Sequence, residues 1–235
     1  MNSNRKTAII VGVLYIIGTV AGVLSLVFVN PILSAPDYLL QFSANKTQVI
    51  TGALFVIIMG VALVMVPVMM FPILKKQSKT LALGYVVFRA LEAVTYIAVV
   101  ISWLLLITLS QEFVKAGAPA VSYFQTSGAL LLEAENWINP ILDIVFILGA
   151  LMFYYLLYQS KLIPRFISVW GLIAATPYLA AGLLSMFGLI SPMSTTQIVM
   201  VVPLALQEMV LAVWLIVKGF NSSAIASLST KTDIN

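Results

Sequence analysis

The chain has 235 residues, of which 62% are hydrophobic and 9% charged, with a formal net charge of +4. Its mean hydropathy of +1.10 implies more apolar surface than a soluble fold can bury, since soluble domains run at about 45–50% apolar. It contains no Cys and no His, which excludes disulfides, thiol nucleophiles, Cys/His zinc sites, His-ligated haem, His-based triads and a histidine pH switch.

Apolar runs of about twenty residues, enough to cross roughly 30 Å of hydrocarbon, recur along the chain. The first covers 8–29, with Asn30-Pro31 as its expected stop. Its apolar core is too long for a cleavable leader, and Pro36 after "LSA" suits cleavage poorly, so it reads as a retained span. Further spans are expected at 49–74, 81–109, 129–158, 166–190 and 198–217. The loops between them leave no room for a soluble catalytic domain. The expected architecture is therefore all-α, a single six-helix transmembrane domain over 1–235.

Charge in the loops sets the expected orientation. Arg5, Lys6, Lys75, Lys76, Lys79, Lys161, Arg165, Lys218 and Lys231 fall on one side, and Lys46 and Lys115 on the other. Both termini are thus expected on the cytoplasmic side of a multi-pass protein of the cytoplasmic membrane. The basic residues lie in short segments between apolar runs and form no patch, so no nucleic acid is expected. "QSK" recurs at Gln77–Lys79 and Gln159–Lys161, but little else aligns and an internal duplication is not supported.

The polar residues at depth carry the functional question. On the third span, Arg89 and Glu92 lie about 14 and 18 Å from the cytoplasmic entry, at 1.5 Å per residue. Asp143 on the fourth span and Glu208 on the sixth reach a similar depth. Each such group costs roughly 2.5–3.5 kcal/mol at a helix centre, so four isolated ones would cost on the order of 10 kcal/mol, comparable to a domain's whole stability. They are expected to face one another or water. Tyr85, Arg89, Glu92, Tyr96 and Trp103 fall within about a 60° sector of their helix. On the fourth span Glu133, Asn136, Pro140 and Asp143 share about 80°, with Asn139 beside them. Pro140 frees the Asn136 carbonyl, and Pro203 does the same near Gln207 and Glu208.

Three carboxylates then share one arginine. Arg cannot release its proton, so a carboxylate is protonated or a cation joins the cluster. The ligand or proton site expected from the sequence is therefore Arg89, Glu92, Asp143, Glu208, Tyr85, Tyr96, Asn136, Asn139 and Gln207. A buried Arg–carboxylate pair also serves as a structural clamp that fixes helix register, and that reading stands beside the first. Glu133 and Glu135 are expected at the outer rim. Gly18-x-x-x-Gly22 with Ser25 reads as a helix-packing face, open to a homo-oligomer; Gly171, Ala174, Tyr178, Gly182 and Ser185 read the same way. Met59, Met65, Met69 and Met70 read as filler or lipid-facing, and "KKQSK" as a topology signal with anionic lipid contact. No cofactor and no metal site is expected.

"VVFRALEAV", "YYLLYQSKLIPRFISVWGLIAA" and "PLALQEMVLAVWLIVKGF" together resemble the bacterial membrane family described as domain of unknown function 4386. The resemblance covers nearly the whole chain. It implies a compact helical protein of the cytoplasmic membrane with no established activity. In that family pattern an Arg and a Glu stand at the positions of Arg89 and Glu92, and an acidic residue at that of Glu208, with no reaction assigned to them. Three functional classes remain: a small transporter or cation/proton-coupled protein, a non-enzymatic interaction, sensor or envelope-stress module, and a membrane enzyme. The last is least supported, because a "GxGD" aspartyl motif and a base for a serine dyad are both missing.

Overall fold

The long apolar runs become helices because lipid offers no partner for a free backbone amide or carbonyl, so each crossing segment must satisfy its own. The computed structural model describes residues 2–116, 121–191 and 194–232, with the backbone alone at 121, 231 and 232. Lys231, counted above with the basic side, therefore falls outside the described side chains.

Every described element is a helix. The six long ones are α1 (Ser3–Leu33), α3 (Lys46–Leu74), α4 (Lys79–Ala116), α5 (Val121–Ser160), α6 (Arg165–Met186) and α7 (Thr195–Val217), and all are long and apolar enough to cross a membrane. Two short helices complete the order: α2 (Tyr38–Ala44) and α8 (Ser222–Thr232). Neither has the length or hydropathy of a span, and the sequence reading did not foresee them.

Two expected boundaries move. Asn30-Pro31 does not stop α1, which runs on to Leu33 with Pro31 inside it. The proline disturbs the carbonyls one turn back, and Gln48 Nε2 of α3 donates to the Phe28 carbonyl at 2.8 Å, a side-chain repair of the kind membrane helices use. The fifth span ends at Met186 rather than at 190. Gly188 adopts φ 68° there, and the Leu189 N–H donates to the Leu184 carbonyl at 2.8 Å, which is the glycine-terminated helix end of a Schellman motif.

The spans close into a ring in which α1 packs on α3, α3 on α4, α4 on α5, α5 on α6, α6 on α7, and α7 back on α1. Gly18 and Gly22 serve this ring, because Leu63 and Met59 of α3 occupy the space a side chain would need there. That face is covered from within the chain. Outward, all six spans present large apolar side chains such as Val27, Val61, Val94, Ile173 and Val213, a surface that suits hydrocarbon and not water.

Inside the ring, the apolar core divides. One cluster, including Tyr85, Phe146, Tyr154 and Leu211, fills the half nearer the two termini. A second, including Val56, Val99 and Trp103, fills the other half. At the far end α2 packs on α4, where the Ser110 hydroxyl donates to the Leu39 carbonyl. At the near end α8 buries Ala224 and Leu228 in the first cluster and receives a 3.1 Å bond from Lys76 Nζ at Ser229 Oγ.

Candidate functional site: a polar layer across the ring

The charged residues occupy the gap between the two apolar clusters. Arg89 and Glu92 are each only 2% exposed. Their i, i+3 spacing places them on one helix face, and Arg89 Nη1 donates to both Glu92 oxygens, at 3.0 and 3.2 Å. The other arm crosses the ring: Arg89 Nη2 donates to Glu208 Oε1 of α7 at 3.2 Å, although α4 and α7 are not ring neighbours. Glu208 is 16% exposed. The Tyr15 and Tyr85 hydroxyls, 3.3 Å apart, make a second link across the ring, from α1 to α4. The guanidinium carbon lies 4.7 Å from the Phe146 ring centroid and 5.8 Å from that of Tyr85, so aromatic faces cover the cation where no carboxylate does.

Glu92 also accepts a 3.0 Å bond from the Tyr96 hydroxyl, as the shared helix face suggests. Asp143 stands apart from this ion pair. It is 8% exposed and accepts a 3.1 Å bond from Tyr178 of α6. Gly182 on the same helix lets α6 approach, since a Cβ there would sit 2.9 Å from the Asp143 Cβ. Among the described residues no three acidic side chains lie close enough to hold a metal ion. The expected trio of carboxylates on one arginine is thus a pair on the arginine, with the third capped by a tyrosine.

The remaining expected site residues divide. Gln207 is fully buried and donates to the Ile167 carbonyl of α6 at 3.0 Å, joining α7 to α6 rather than touching the ion pair. Asn136 is exposed and donates to Glu133 Oε1 at 3.3 Å, away from the buried layer. Asn139 is partly buried, and among the described residues no hydrogen bond joins it to the layer's charged groups. Glu135, expected at a solvated rim, is partly buried and accepts a 2.7 Å bond from Trp103 Nε1.

Sequence reasoning missed Tyr15, Tyr178 and Phe146. Tyr178 was visible as the one hydroxyl-bearing aromatic on a stripe of small residues, a pattern that reads as packing until its partner is known. Four buried polar atoms find no hydrogen-bond partner among the described residues: Arg89 Nε, Tyr154 Oη, Ser168 Oγ and Gln207 Oε1. Buried polar groups are ordinarily satisfied, so these mark this half of the interior as more polar than its apolar lining suggests.

In comparison with known families, the chain matches the family described as domain of unknown function (DUF4386) over residues 10–219. No curated protein and no solved structure matches the chain.

Proposed function

The chain belongs to the DUF4386 family, and we propose from that premise that its polar layer is a proton-binding centre serving small-solute or cation/proton-coupled transport or binding. One observation carries this reading: two carboxylates, Glu92 fully buried and Glu208 partly buried, share the single guanidinium of Arg89 across the ring. Arginine retains its charge, so with both carboxylates ionised the triad holds one uncompensated negative charge. A buried, unpaired charge is costly. Aromatic rings cover the Arg89 cation, and a proton is the smallest ligand that relieves the excess negative charge. Asp143 of α5 and Tyr178 of α6, joined by a 3.1 Å bond, extend the polar layer round the ring. The chain is taken as one domain, seated in the cytoplasmic membrane with both termini on the cytoplasmic side.

Infrared absorption of the purified protein in nanodiscs tests this. At neutral pH the wild type is expected to show the carbonyl band of a protonated carboxylic acid, and Glu92→Gln or Glu208→Gln to remove it. A wild-type spectrum without that band sinks the proposal. It would leave the second reading, a structural clamp, which the bond between the non-neighbouring helices α4 and α7 favours. For the coupled solute, a thermal-shift screen over Na⁺, K⁺ and small metabolites is read against the same variants, since a ligand at 100 times its Kd stabilises by about 2.7 kcal/mol.

A further inference from the structure

The charged side chains are sorted between the two ends of the bundle. Arg5, Lys6, Lys75, Lys76, Lys79, Lys161, Arg165 and Lys218 lie at the end where α1 begins and α7 finishes, and no described acidic residue lies there. At that end the turn between α5 and α6 meets the turn between α7 and α8, joined by a 2.8 Å bond from the Asn221 N–H to the Leu162 carbonyl. Between the turns is a groove of about 400 Å³ whose lining includes Lys161, Arg165, Lys218, Trp214 and Asn221.

The groove's construction favours an anion. Lys161 holds φ 54°, a left-handed conformation that glycine or asparagine adopts at less cost. Arg165 keeps its guanidinium 5.1 Å from the Tyr158 ring centroid, so its position is supported from one side while the groove side stays free of any acidic partner. None of the three cations is in an ion pair among the described residues. Beside the groove, Phe166, Val213 and Val217 are 59%, 55% and 61% exposed. Cations and an indole at a helix end, with bare apolar helix faces adjoining, match both halves of a phospholipid.

We infer that this groove is a binding site for an anionic glycerophospholipid, its phosphodiester held among Lys161, Arg165 and Lys218 and its acyl chains on the exposed faces of α6 and α7. The apolar faces decide for a lipid over a free phosphate, which would gain nothing from them. The site is separate from the polar layer and does not depend on what that layer binds.

The test uses the full chain in nanodiscs of equal phosphatidylglycerol and phosphatidylcholine, with retained lipid counted by native mass spectrometry. The wild type is expected to retain phosphatidylglycerol preferentially. The triple variant Lys161→Gln, Arg165→Gln, Lys218→Gln is expected to lose that preference by about tenfold or more, since each basic group at the surface adds to the attraction for anionic lipid. The control Lys6→Gln removes basic charge from the same end outside both the groove and the "KKQSK" stretch and should leave the preference intact. Equal loss in the control, no preference in the wild type, or displacement of the lipid by millimolar inorganic phosphate each overturns the assignment. Should the triple variant not fold, photoactivatable phosphatidylglycerol on the wild type decides. Labelling concentrated in 161–165 and 214–221 supports the site, and labelling spread evenly over the apolar faces overturns it.

Discussion

At the residue scale, burial separates two ion pairs of similar length. Lys115–Glu112 is a 2.8 Å i, i+3 pair whose side chains are 70% and 56% exposed; water screens it and such pairs contribute little. Arg89–Glu92 has the same spacing and is buried. Removing one partner of a buried pair leaves a charge without compensation, at about 3–5 kcal/mol. Arg89→Ala, which strands both Glu92 and Glu208, is therefore expected to lose stability on that order in detergent unfolding, while Lys115→Ala stays within about 0.5 kcal/mol of wild type. Equal effects would mean that the interior accommodates both carboxylates without Arg89. The type and depth of these residues were legible from the sequence, because lipid makes any charge at a helix centre conspicuous. Tyr178 was not, since a tyrosine on a small-residue stripe has the same signature whether its hydroxyl meets Asp143 or a carbonyl.

Element ends show a contribution that hydropathy does not report. The last carbonyls of α7 have no helical partners, and Arg5 from α1 supplies them. Its guanidinium donates to the carbonyls of Leu215, Ile216 and Val217 at 3.0, 2.6 and 3.1 Å. A cation there also meets the negative end of the helix dipole. Gly219, at φ 74°, closes the same end, its N–H donating to the Trp214 carbonyl at 3.1 Å. Any side chain at 219 would collide with Arg5, whose Nη1 lies 2.7 Å from the Cβ position. Arg5→Ala should cost about 1–2 kcal/mol, given charge-assisted bonds that are partly exposed, and should speed amide exchange in the last turn of α7 first. Unchanged exchange there would show that water serves those carbonyls equally well. In the sequence Arg5 counted only as a topology signal, because a contact across some 210 positions leaves no periodic trace.

For the whole molecule, the proposed orientation rests on the charge sorting. Eight described basic side chains, named above, share one end, while Asp37, Glu112, Glu133 and Glu135 lie at the other with Lys46 and Lys115. With no native cysteine, single-cysteine variants read topology cleanly. Ser3→Cys and Ser222→Cys are expected to resist an impermeant thiol reagent in intact cells, and Glu112→Cys to react. Labelling of either near-terminal position from outside would reverse the proposed orientation.

Length and hydropathy determined by themselves that six helices are suited to cross a membrane, that the chain is all-helical, and which helix faces carry the charges. Those properties are local: a 1.5 Å rise and a 100° turn per residue convert sequence position into depth and direction. Only the tertiary structure decided that Arg89 pairs with Glu208, that Asp143 is met by Tyr178, and that the α5–α6 and α7–α8 turns enclose a basic groove. Which helices face each other across a ring depends on close packing and interhelical bonds, since lipid is as apolar as the side chains it touches. Periodicity places a carboxylate at the right depth on three helices alike. The packing of the ring selects which two reach the arginine.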